Sequence, residues 1–266
     1  MKPNTMSDRG IPRLAKLALC ALMLIATGCA QQPAQKDGAA VDGNAAQRAE
    51  IHTQLGSGYY ERRQFDIAIQ ELNEALGAVP DYVPAHNLLG LVYMDLRDDA
   101  VAEKHFRQAL KSDPADSDAN NNYGWFLCQR GRETESIRYF VAALKNPLYK
   151  TPDKSYVNAG VCSLQAKDEK GAESYLLKAL QIQPRNPQAL YHLAETKYKG
   201  AKYAEARSYL GRYMQVANPS AESLWLGVRI ERKLGDRNSQ ASYGLQLRKK
   251  YPESQEAAAL RAGRYE

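Results

Sequence analysis

The stretch LGLVYM at residues 89–94 decides the fold, because its pattern of small and apolar side chains returns at LGSGYY (55–60), YGWFLC (123–128) and AGVCSL (159–164). Twelve residues after Gly56, Gly90 and Gly160 stand Ala68, Ala102 and Ala172, with Ser136 in that place in the third copy. Seven residues later come Ala75, Ala109, Ala143 and Ala179, and Pro80, Pro114 and Pro184 close their copies. Small residues at this spacing let two antiparallel helices approach closely, and proline ends the second helix because it lacks an N–H and crowds the preceding turn.

A period of 34 residues resembles that of tetratricopeptide repeats. A fifth copy runs over 187–220 with Leu193, Ala194, Ala206 and Leu210 at the signature places. A sixth starts near Ser220 with LWLGVRI and ends at Pro252, while Thr151 and Pro152 interrupt the period between the third and fourth copies. One repeat cannot bury its apolar face alone, so the expectation is an all-α solenoid, a right-handed superhelix of about six helical hairpins over 49–252. The polar, helix-forming ESQEAAALRAG then opens a capping helix and tail at 253–266.

The N-terminus reads as an address. Lys2, Arg9, Arg13 and Lys16 precede a ten-residue apolar run, Leu17–Ala26, which is too short for the roughly 20 residues a spanning helix needs. The run ends in LIATGCA (24–30), which resembles a bacterial lipoprotein signal, so 1–28 are expected to be removed and Cys29 to carry the lipid. Ala30 follows where an aspartate would resemble an inner-membrane retention signal, so the expected destination is the periplasmic face of the outer membrane. Residues 30–48, rich in Gln, Ala, Gly, Asp and Asn without apolar periodicity, read as a flexible tether. Removing 1–28 takes away four basic residues and one acidic residue, lowering the formal charge from +6 to +3 and leaving little to attract nucleic acid.

Enzyme chemistry has no foothold in the sequence. It contains no phosphate loop, GxSxG or HExxH. His52 and His86 are one period apart, so repeat packing explains them better than metal binding, and His105 and His192 lack ligand-spaced companions. Asp98 and Asp99 fall at an inter-helix turn and read as solvated or capping residues. No cofactor or small-molecule substrate is expected.

The concave face made by the first helices is where such stacks bind partners. Leu91 and Met94, Trp125 and Cys128, Val161 and Leu164 occupy its positions in successive repeats, joined by Val157, Tyr191 and Tyr198. They either pack between neighbouring first helices or form an exposed apolar groove for a partner segment, with Trp125 the leading hot-spot candidate. Cys20 leaves with the signal and Cys29 goes to lipid, so only Cys128 and Cys162 remain. An oxidising compartment favours their pairing, and the alternative is two separate buried thiols.

NNNYGWFLCQRGR (120–132), NPLYKTPDKSYVNAGVC (146–162) and SLWLGVRIERKLGD (223–236) resemble the PilF/PilW type IV pilus biogenesis lipoproteins. That resemblance implies an outer-membrane pilotin, a non-enzymatic lipoprotein that brings the pilus secretin PilQ to the outer membrane and supports its multimerisation and stability. A tetratricopeptide lipoprotein serving barrel assembly or peptidoglycan hydrolases is the alternative, since it would also combine an anchor with these repeats.

Overall fold

The computed structural model describes residues 43–265. The signal peptide, Cys29 and tether residues 30–42 lie outside the described residues. Thirteen helices are described, twelve of them in six hairpins. These are α1 (Gly43–Glu61) with α2 (Phe65–Ala78), α3 (Val83–Asp95) with α4 (Asp99–Ser112), and α5 (Ser117–Gln129) with α6 (Glu133–Ala143). Then follow α7 (Pro152–Gln165) with α8 (Glu169–Ile182), α9 (Pro187–Lys199) with α10 (Tyr203–Met214), and α11 (Ala221–Leu234) with α12 (Arg237–Lys250). A short α13 (Gln255–Arg261) ends the stack.

The small residues of the repeat sit where the paired helices meet. Ala68, Ala102, Ala172 and Ala206 are fully buried, as is Ser136 in the third hairpin. Gly56, Gly90, Gly124, Gly160 and Gly227 each face the large side chain sixteen residues later: a Cβ at Gly90 would stand 2.6 Å from the Phe106 ring, and one at Gly160 would stand 2.6 Å from Leu176. Glycine therefore sets the depth to which the second helix seats.

The turns inside the hairpins share one geometry. Arg63, Arg97, Gly131, Lys167, Ala201 and Gly235 all have φ between 57° and 78°. After each, the next N–H bonds a carbonyl five residues back, as in Gln64 to Tyr59 and Asp98 to Tyr93, both in Schellman form. Asp98, Asp168 and Asp236 then accept from the N–H three residues on and cap the second helices. Asp98 thus caps, as its turn position suggested, while Asp99 pairs with Arg130 at 2.6 Å.

Two boundaries differ from the sequence reading. Helix α1 begins at Gly43, inside the stretch read as tether; Ala45 and Ala46 favour helix, and the added turn extends the repeat's first helix upstream of Ala49, its first buried residue. Pro152, read as part of the interruption, instead occupies the first turn of α7, where its missing N–H costs nothing. The interruption is taken up by the connection 144–151 and by a shorter α6 of 11 residues.

Candidate interaction surface

Neighbouring first helices touch all along the stack, whereas among the described residues no second helix touches another second helix. The first helices therefore form one continuous wall. Its positions are marked by side-chain hydrogen bonds between successive first helices: Asn122 Nδ2 donates to Asn87 Oδ1 (3.2 Å), and Ser155 Oγ (2.8 Å) and Asn158 Nδ2 (3.1 Å) both donate to Asn121 Oδ1. Residues three, four or seven places further along share a helix face with these asparagines.

Leu91 and Met94 lie on that face and are half-buried against the Phe106, Tyr123, Phe126 and Leu127 cluster. Trp125 is half-buried against Cys128, Phe140, Ala159 and Cys162. Val161 and Leu164 are half-buried on α7. Tyr191 and Tyr198 are half-buried over Leu210, Leu226 and Ile230. Val157 corrects the sequence reading: it is only 2% exposed and packs with Leu176 and Leu190 in the core. Four residues advance a helix by about 400°, so Val157 and Val161 point only about 40° apart; the α8 and α9 side chains close over Val157, while Val161 packs half-buried at the edge of the same cluster.

The structure joins Cys128 of α5 to Cys162 of α7, with Cα atoms 5.8 Å apart. The bridge spans the connection that absorbs the interrupted period.

The histidines serve packing. His52 Nδ1 meets Glu71 at 2.7 Å and His86 Nδ1 meets His105 Nδ1 at 2.9 Å, the same contact nineteen residues ahead in two successive hairpins. Among the described residues no three His, Cys, Asp or Glu side chains could hold a metal ion, and no helix is long and apolar enough to cross a membrane.

The fifth and sixth hairpins carry features that sequence reading passed over. A cavity of about 350 Å³ opens between α9, the 215–220 connection and the start of α11, with Tyr191, His192, Tyr213 and Ala217 on its walls and Glu222 at its rim. Burial, then the carboxylates of Glu195 and Glu222, push the Tyr191 hydroxyl up to about 12. A second pocket of about 220 Å³ is lined by Tyr198, Arg229, Arg232, Lys233, Gly263 and Tyr265. Arg229 lies over Tyr198 (4.9 Å), Arg232 over Tyr265 (4.1 Å), and Tyr265 stacks on Trp225 (5.6 Å). Spacing of 229, 232 and 233 marks one helix face, but Tyr198 and Tyr265 join it only in the fold.

Tetratricopeptide repeat family models match residues 53–107, 87–150 and 163–224. The type IV pilus assembly protein PilF of Pseudomonas aeruginosa is 33% identical over 213 residues, 80% of this chain and 84% of its own length. Its solved structure, at 32% identity, superposes with a TM-score of 0.78 over 83% of this chain and 99% of that one. PilW, a widely conserved type IV pilus biogenesis factor, superposes with a TM-score of 0.74 at 34% identity over 80% of this chain and 97% of its own. MamA, at 18% identity and a TM-score of 0.52, shares the fold alone. With its helical hairpins, its wall of first helices and these relatives, the chain belongs to the PilF/PilW family of tetratricopeptide repeat proteins.

Proposed function

We propose that this protein acts in type IV pilus biogenesis as a non-enzymatic escort of the pilus secretin PilQ, held by a lipid on Cys29 at the periplasmic face of the outer membrane. Its likeness to PilF along 80% of the chain carries the reading. The half-buried apolar and aromatic side chains of the first-helix wall suit a protein segment rather than a small substrate. A lipid anchor on such a wall would concentrate secretin subunits at the membrane where they multimerise, by turning encounters in solution into encounters at one surface. Three acyl chains, each contributing about 0.8 kcal/mol per buried methylene, would make that attachment effectively permanent.

The test is a deletion strain scored for twitching motility, secretin multimers and outer-membrane barrel proteins. Loss of motility and multimers with normal barrel levels is expected. Normal multimers would end the secretin reading, and a general fall in barrel proteins, or altered peptidoglycan hydrolysis, would favour the scaffold alternative. Cys29→Ala should leave the protein folded but absent from the outer-membrane fraction, with multimers reduced.

A further inference from the structure

We infer that the groove between α9 and α11 is a receptor for the acidic end of a peptide: an apolar side chain enters the Tyr191–Tyr213 cavity and carboxylates about three residues further on meet Arg229, Arg232 and Lys233.

The two pockets lie along one helix face. Tyr191 and Tyr198 are seven residues apart on α9, on the same side, about 10 Å apart along the axis at 1.5 Å per residue. An extended peptide rises about 3.3 Å per residue, so three residues cover that span.

Charge orients the occupant. Glu222 stands at the Tyr191 end, where a second carboxylate would be repelled, while Glu195, midway along α9, is already paired with His192 and Lys199. The other end has three cations and no acidic residue in its lining. Arg229, Arg232 and Lys233 make no ion pair among the described residues, in contrast to Lys197 on α9, which is held by both Glu173 and Glu205. Arg229 Nε is buried and makes no hydrogen bond among the described residues. Arg229 lies over Tyr198 and Arg232 over Tyr265, ring contacts that place both cations without supplying a carboxylate to neutralise them. The inference goes beyond the secretin reading, because the groove would take any protein with such an ending.

The test uses the full chain in detergent and a fluorescein-labelled peptide, Gly-Phe-Ser-Ser-Asp-Glu with a free C-terminus, read by anisotropy. Its neutral analogue, Gly-Phe-Ser-Ser-Asn-Gln-amide, should bind about tenfold more weakly, and added salt should weaken the acidic peptide alone. Arg232→Gln, at an exposed position that leaves the core untouched, should cost the acidic peptide about tenfold and the neutral one nothing. Tyr213→Ala should weaken both peptides, with circular dichroism reporting retained helix. Equal binding of the two peptides overturns the inference. It is equally overturned if Arg232→Gln leaves the acidic peptide unaffected while abolishing binding to phosphatidylglycerol vesicles, because the cations would then serve a lipid surface.

Discussion

The Nδ1 atoms of His86 and His105 lie 2.9 Å apart across the hairpin of α3 and α4, and one proton must serve both. His86 Nε2 is 3.0 Å from the Pro80 carbonyl, an acceptor only, so that nitrogen carries the His86 proton. His105 therefore donates from Nδ1 to the bare Nδ1 of His86.

Acid should loosen this hairpin. Burial lowers the His86 pKa, and burial, reinforced by His86 and Lys104, lowers that of His105 to about 4. Both folded values lie below the ordinary 6.5, so the unfolded chain binds protons first. The stability is full above about pH 6.5 and is lost as pH falls through about 4. A loss on the order of 2 kcal/mol after screening is expected in urea titrations at pH 7 and pH 4.5. His105→Gln should flatten that slope, and an unchanged slope would refute the assignment.

Two glycines should respond oppositely to alanine. At Gly90 the new methyl would meet the fully buried Phe106 ring, so Gly90→Ala should destabilise by about 1–3 kcal/mol. Gly211, inside α10, has nothing within 4 Å of a Cβ, and Gly211→Ala should stabilise by about 0.5–1 kcal/mol through helix propensity. Denaturant midpoints distinguish the two.

At the hairpin turns, Ala201 holds φ at 57° where Gly131 holds 72°. Ala201→Gly should raise stability by about 0.5–1 kcal/mol, because the left-handed strain of a Cβ outweighs the added freedom of the unfolded chain. Gly131→Ala should lower it by about 1 kcal/mol. A destabilised Ala201→Gly protein would refute this account of the turn.

The Cys128–Cys162 bridge should form in periplasmic protein and show as a linked peptide by non-reducing mass spectrometry. Closing a loop over a separation of 34 residues constrains the unfolded chain by roughly 3–4 kcal/mol. Reduction should lower the melting temperature while the repeats on each side stay helical, since each contacts its own neighbours. Two free thiols in that sample would remove the bridge.

On the wall, Leu91→Asp should weaken secretin binding by about thirtyfold, equivalent to about 2 kcal/mol. Trp125→Ala should do the same and also cost stability, because the indole packs on Phe140 and Cys162. Pull-down from membranes beside thermal melts separates the effects, and wild-type capture by both variants would exclude this wall.

The sequence by itself determined the hairpins, their order and the place of the irregular seam, because those follow from local spacing: small residues where helices meet, prolines where they stop. It also placed Cys128 and Cys162 on adjacent first helices, four residues after Gly124 and two residues after Gly160. Tertiary structure decided what local spacing leaves open. Val157 and Val161 are equally apolar and one turn apart on α7, and only the packing of α8 and α9 buries the first and leaves the second half-exposed. The left-handed residue at the fifth turn is Ala201 rather than the adjacent Gly200, because the hairpin geometry fixes the turn position regardless of which residue bears its strain. Tyr198, Arg229 and Tyr265 are far apart in the chain and become one pocket only when α9, α11 and the tail after α13 meet. A cation on a helix face looks solvated in sequence, and whether a carboxylate or an aromatic ring stands opposite depends on packing between elements.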